Sequence, residues 1–374
     1  MDDLQQLALI YGVSHASWRG TAELSAAYRW QELRTDFLLG PLRQAIQVWC
    51  ADIPSIADES DGQGAAVGGR VLVLRYFDRH EDQLATTLAV FLPAAGWLET
   101  DADGLYGVAR QQGWQRQARR QVGRALGGAV LANSEDDDPF QLLGRSGHIH
   151  ADVPPPAEGI AAASRLLHHA RTLGEQDGDH WYRPDGRETA VLATAAGFVV
   201  FSAAARFSVR DAGDRPNQFE RFLILHGLAY ACRQALVGPS RWLAQEALPS
   251  GSHDTQVTEE RYRTVRRLYD RQVQFEARYL FSNPVREAYP EAHGMARLVM
   301  ENQGLERLRE ALNAQLDRLQ GLAQHYLAER EAERRRREAQ ASARRQRWLN
   351  GIVTALGLLL AAGQTWFGWL AVPG

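Results

Sequence analysis

WLNGIVTALGLLLAAGQTWFGWLAV, residues 348–372, is a run of 25 residues without a charged side chain. A helix of that length reaches about 37 Å, against a hydrocarbon core of about 30 Å. Trp348 stands at one edge, with Trp366, Phe367 and Trp369 near the other; membrane interfaces favour aromatics so placed. The run therefore predicts one C-terminal transmembrane helix. Small residues recur four apart inside it, Gly351 with Ala355 and Gly357 with Ala361, and such pairs let neighbouring helices approach closely. Asn350, Thr354, Gln364 and Thr365 are its polar members. Polar groups are costly in lipid and turn toward other helices or a water path, so these four are the candidate pore-facing residues. One uncharged span encloses no conduit alone, so conduction requires several copies; the other reading is a plain tail anchor.

Upstream, residues 330–347 hold eight Arg against three Glu, a local balance of +5 in a chain whose net charge is −3. Arg334, Arg335, Arg336, Arg337, Arg344, Arg345 and Arg347, next to an apolar run, are candidate contacts for anionic lipid headgroups. Positive residues beside a span stay inside the cell. The expected placement is thus single-pass in a bacterial inner membrane, with the N-terminal bulk cytoplasmic. The opening MDDLQQLALI carries acids and no basic region, so no secretory signal is expected. All 42 basic residues are Arg; so uniform a bias says nothing by itself of phosphate, and no nucleic-acid partner is expected.

No proline occurs from Glu291 to Val372. Leu305, Leu308, Leu312, Leu316, Leu319, Leu322 and Tyr326 recur at spacings of three and four, which predicts an amphipathic helix. Carried to Val372 it is a stalk of about 100 Å. A second helix is expected over Thr258–Ser282, closed by Asn283-Pro284. It belongs either to the head or to a hairpin beside the stalk. The expected organisation is an α+β cytosolic head of one or two subdomains over 1–250, a helical hairpin and stalk over 257–347, and the transmembrane helix over 348–372.

Within the head, Arg70–Phe77, Ala190–Phe207 and the shorter Leu88–Leu92 read as strands. Leu24–Val48, Gln111–Leu126, Ile160–Leu173 and Phe219–Leu248 read as helices. The two cysteines, Cys50 and Cys232, exclude a disulfide scaffold and a Cys-based zinc ribbon. His148 and His150 could place two ligands on one strand face, with His168, His169 or His180 elsewhere, but a metal site needs three or four that converge. The acidic run Glu135–Asp138 lacks a calcium-loop pattern. Gly62–Gly69 lacks the Gly-Lys-Ser/Thr ending of a phosphate cradle. His226 and Cys232 fall in an apolar helix, where core packing is the default. No catalytic constellation emerges, so neither an enzyme activity nor a resident metal or cofactor is expected.

RFLILHGLAYACRQALVGPSRWLA (Arg221–Ala244) and FEARYLFSNPVREAYPEAHGMARLVMENQGLERLREAL (Phe275–Leu312), followed by the stalk and the apolar run, resemble the CorA family of membrane proteins. The resemblance spans roughly residues 190–372 and lies in arrangement. CorA transporters carry a Gly-Met-Asn signature and a second membrane helix. Met1, Met295 and Met300 are the only methionines here, so the ion filter does not carry over. The resemblance implies a homo-oligomeric inner-membrane effector or channel, with five copies one candidate number. Its head would sense a small-molecule or protein trigger and the stalk would couple it to the membrane, as in CorA-like companions of prokaryotic defence systems. An atypical divalent-cation transporter, a non-conducting tail-anchored scaffold and an anchored enzyme using His148 and His150 are the alternatives.

Overall fold

A computed structural model describes residues 4–13, 24–56, 67–77, 85–93, 118–127, 140–151, 155, 159–160, 163, 166–167, 180–182, 189–203, 207, 214–246, 255–281 and 283–370. The chain divides into two compact units: Met1–Leu248 with Leu268–Asn313, and Pro249–Arg267 with Ala314–Gly374.

Among the described residues the first unit has nine strands: β1 Leu4–Val13, β2 Gln31–Glu32, β3 Ile46–Ile56, β4 Val67–Tyr76, β5 Thr86–Pro93, β6 Phe140–Ile149, β7 His180–Tyr182, β8 Thr189–Thr194 and β9 Gly197–Ser202. Their order across the sheet is β2-β3-β4-β5-β1-β6-β9-β8-β7. The β6–β9 pair is parallel and the other pairs are antiparallel. Alternate residues supply both faces. Leu9, Tyr11, Val71, Val73 and Phe91 pack on one side with Ala118, Val122 and Ala125 of a short helix at 118–125. Leu7, two residues before Leu9 and so on the same side of β1, forms a second cluster with Val199, Phe201, Ala163, Leu166 and Leu167. Burial on both faces explains why β1 and β8 read as nearly unbroken apolar runs.

The helices are α1 Gly40–Ala45, α2 Gln218–Glu246, α3 Thr255–Tyr279, α4 Pro290–Asn302 and α5 Leu305–Leu370. α2 lies against the sheet. The Tyr76 hydroxyl donates to the Ile224 carbonyl at 2.9 Å, and Phe198 meets Phe219 edge-on at 5.5 Å. Gly227 permits this approach, because a Cβ there would overlap the Tyr76 hydroxyl. Gly304, at φ +64°, separates α4 from the 66-residue α5; a left-handed residue is the common way to end one helix. Asn313 Nδ2 donates to Glu276 Oε1 at 2.9 Å, so the C-terminal part of α3 meets the first turns of α5.

The strands expected at Arg70–Phe77 and Leu88–Leu92 are β4 and β5. The single stretch Ala190–Phe207 is instead the hairpin β8–β9. Leu24–Val48, expected as one helix, contains turns, β2, α1 and the start of β3, since Gly40-Pro41 starts a new helix and Ile46 onward pairs with β4. Glu135–Asp138, His168, His169 and residues 62–66 lie outside the described residues.

The fold class and location expected from residues 348–372 require correction. Among the described residues no helix is long and apolar enough to cross a membrane. The C-terminal transmembrane helix, and with it the single-pass inner-membrane placement and the cytoplasmic assignment of the N-terminal bulk, is not supported. The physical reason lies in composition by position. Asn350 and Thr354 interrupt the apolar residues from Trp348 to Ala362, and polar side chains are costly in lipid.

Candidate functional site

Two places in the chain carry features that packing alone does not use. The first is a cleft of about 480 Å³ in the first unit, lined by Gln6 and Leu7 of β1, Asp52 and Ile53 of β3, Gly69 and Arg70 of β4, Leu92 and Pro93 of β5, and Asn217 and Glu220 at the start of α2. Register explains the gathering. Asp52 pairs with Arg70 and Arg70 with Leu92, so one row across three strands ends at the same edge. Arg70 Nε donates to Asp52 Oδ1 at 2.8 Å and Nη1 to Glu220 Oε1 at 3.1 Å. Burial opposes the guanidinium charge, but the two carboxylates outweigh it and hold Arg70 above its ordinary pKa.

Glu220 is 1% exposed and has a second role. Its Oε2 accepts the Asn217 backbone N–H at 2.9 Å, while Asn217 Oδ1 accepts the Glu220 N–H at 2.7 Å. This reciprocal cap satisfies the first donors of α2. The next residue, Arg221, stacks over Tyr289 at 5.1 Å and reaches Glu291 at 3.7 Å at the start of α4. Tyr289 in turn meets Phe37 edge-on at 6.3 Å. The cleft is therefore one residue removed from contacts that seat α4, the helix leading into α5.

The second place is α5 itself. Every described residue from 331 to 362 is exposed. Trp348, Leu349, Ile352, Val353, Leu356, Leu358, Leu359 and Leu360 are large, apolar and exposed there. At 3.6 residues per turn all but Leu358 fall within an arc of about 140°. Leu349, Val353, Leu356 and Leu360 follow the 4-3-4 spacing of a coiled-coil seam. Asn350 and Thr354 stand outside that arc, one turn apart, and Thr354 Oγ1 donates to the Asn350 carbonyl at 2.8 Å. Gly351, Ala355 and Gly357 lie in the same exposed stretch. Gln364 and Thr365 belong to the helix, but their side chains lie outside the described residues. Among the basic residues, Arg334 pairs with Glu338, Arg335 with Glu331 and Arg337 with Glu333, each i to i+4.

Among the described residues the histidines do not assemble. His148 is buried, its Nε2 lies 3.1 Å from the Ser202 carbonyl, and its ring stacks near Phe207. Burial lowers its pKa to about 4. His150 is exposed, and no group of three or more His, Cys, Asp or Glu among the described residues is arranged to hold a metal ion. His226 and Cys232 are core residues of α2, with burial pushing the first down to about 4 and the second up to about 12. The cleft escaped sequence reading because Arg70 and Glu220 are 150 positions apart. The sequence signal that bears on it is Asn217-x-x-Glu220, a helix-start signature.

Comparison with protein families, curated proteins and solved structures finds no match.

Proposed function

We propose that this chain is a homo-oligomeric effector whose head receives a molecular trigger and whose copies join through α5. The observation that carries the reading is the exposed apolar arc from Trp348 to Leu360, on a helix stretch that no described residue covers. Helices of this kind gain most of their stability from a packed face, and exposed apolar patches of this extent mark interaction surfaces. A second copy is favoured as the occupant by the 4-3-4 spacing and by Val353 at the position where β-branched residues suit paired helices. The i to i+4 ion pairs also answer three of the arginines within the helix, which weakens the case for a headgroup surface.

On this reading the head and stalk follow the plan that the CorA-like resemblance implies, without its membrane span. A trigger that alters the first turn of α2 would act on Arg221, then on Tyr289 and Glu291, and so on the seat of α4. Such coupling needs a ligand that interacts differently with two arrangements. The test is the mass of the purified full chain by light scattering at micromolar concentration. The expected result is a multiple of 41.7 kDa, reduced to one copy by Leu349→Glu with Leu356→Glu while the melting of the head is unchanged. A 41.7 kDa particle would refute the assembly. Flotation of that particle with anionic vesicles would return the Arg334–Arg347 segment to a lipid role.

A further inference from the structure

We propose that the cleft at Arg70 binds a small organic cation: an amidine, guanidine or protonated amine carried on an apolar body. Its volume of about 480 Å³ suits a ligand of that kind. Leu7, Ile53, Leu92 and Pro93 supply an apolar lining, while Asp52, Arg70 and Glu220 supply the charge. Among the described lining residues, two carboxylates and one guanidinium sum to −1. The guanidinium is already engaged by both carboxylates. The start of α2, where an anion would otherwise find donors, is capped by its own Asn217 and Glu220 side chains. The helix dipole contributes about half a positive charge at that end, too little to reverse the sign.

An anion entering here would have to displace Asp52 from Arg70 and then sit beside two carboxylates. A cation meets the opposite situation. Asp52 uses Oδ1 for Arg70 Nε, and its side chain is 78% exposed, so the carboxylate faces the entering ligand. Glu220 is buried and doubly bonded, so it sets the local field without becoming the docking group. The apolar lining then takes the body of the ligand, and the absence of a side chain at Gly69 keeps β4 close to Leu92 and Pro93.

The site deepens the reading of the head as a receiver and rests on it only for consequence, not for binding. The test uses the full chain with three probes of one shape: p-aminobenzamidine (cation), p-aminobenzamide (neutral) and p-aminobenzoate (anion), followed by calorimetry. Saturable binding in the order cation, neutral, anion is expected, with about tenfold or more between the extremes from attraction and repulsion together. Asp52→Asn, at an exposed position, lowers the affinity for the cation about three- to fivefold, the scale of an exposed ion pair, and leaves the neutral probe unchanged. Equal or tighter binding of p-aminobenzoate, no saturable binding of the cation, or indifference to Asp52→Asn overturns the proposal. Particle mass measured in the same samples separates the two readings: cation binding without a change of mass leaves the site standing and removes the coupling to assembly.

Discussion

Replacing Arg70 by Met takes the Arg70 guanidinium away from the buried Glu220 carboxylate. That carboxylate is 1% exposed and is held by Arg70 Nη1 at 3.1 Å and by the Asn217 N–H at 2.9 Å. Removing one partner of a fully buried pair costs about 3–5 kcal/mol, because the remaining charge has lost its compensation. Two features reduce the figure here. The Arg70 side chain is 28% exposed, so water already shares its charge, and the Asn217 N–H remains bonded. The expected cost of Arg70→Met is therefore about 2–3 kcal/mol. Glu220→Gln alone keeps an acceptor for the helix cap and leaves Arg70 with Asp52, so about 1 kcal/mol is expected. Combined in one chain, Gln at 220 removes the stranded charge, and the double variant is more stable than Arg70→Met. Urea unfolding read by tryptophan fluorescence measures all three, with unchanged slopes required for the comparison. A cost below about 0.5 kcal/mol for Arg70→Met, or a double variant no better than that single one, would refute the buried pair as described.

Three further outcomes follow from the packing. Gly227→Ala places a methyl group on the Tyr76 hydroxyl and is expected to cost about 1–3 kcal/mol; Tyr76→Phe in the same chain recovers part of that in thermal melts. His148 and His226 stay neutral in the fold down to about pH 4, whereas the unfolded chain protonates them near pH 6.5. Their contribution is thus full above pH 6.5 and is lost as pH falls from 6.5 toward 4, by about 2 kcal/mol each at pH 5. Melting the protein across that range shows it, with a shallower loss in His226→Gln, and a flat profile would contradict it. Arg145 is 3% exposed, its Nε and Nη2 have no hydrogen-bond partner among the described residues, and burial lowers its pKa to about 10. Arg145→Met is expected to leave stability unchanged or to raise it by about 1–3 kcal/mol in urea unfolding.

Local patterns reach as far as local forces decide the structure. Arg70–Phe77 reads as a strand because Val71 and Val73 face one core while Leu72, Leu74 and Tyr76 face the other, all of them buried. α2 and the start of α5 read as helices from their apolar content and spacing, and α2 continues through Pro239. β1 was not legible. LQQLALIYGV has no turn signal before it in the sequence, and its status comes from partners at 86–93 and 140–149. β3 failed for the same reason: Ile46–Ile53 fits a helical window, and only its ladder to β4, from Ile46↔Tyr76 to Ile53↔Gly69, makes it a strand. The cleft inherits that difficulty, since a salt bridge between Arg70 and Glu220 depends on how α2 crosses the sheet edge.

The C-terminal helix poses the opposite problem, an excess of signal rather than a lack of it. Hydropathy summed along residues 348–372 has no direction, so leucines and valines count alike wherever they point. A helix assigns each residue an angle, and seven of the eight exposed large apolar residues share one arc, leaving Asn350, Thr354 and Gly357 to the other side. A helix packed on its own kind along a single seam requires such a division. The same division returns a different meaning for the small residues. Gly351, Ala355 and Gly357 fall outside the seam formed by Leu349, Val353, Leu356 and Leu360, so they need not be contact points between copies. Their substitution by larger residues should then leave the mass of the particle unchanged, while a charge at Leu356 divides it.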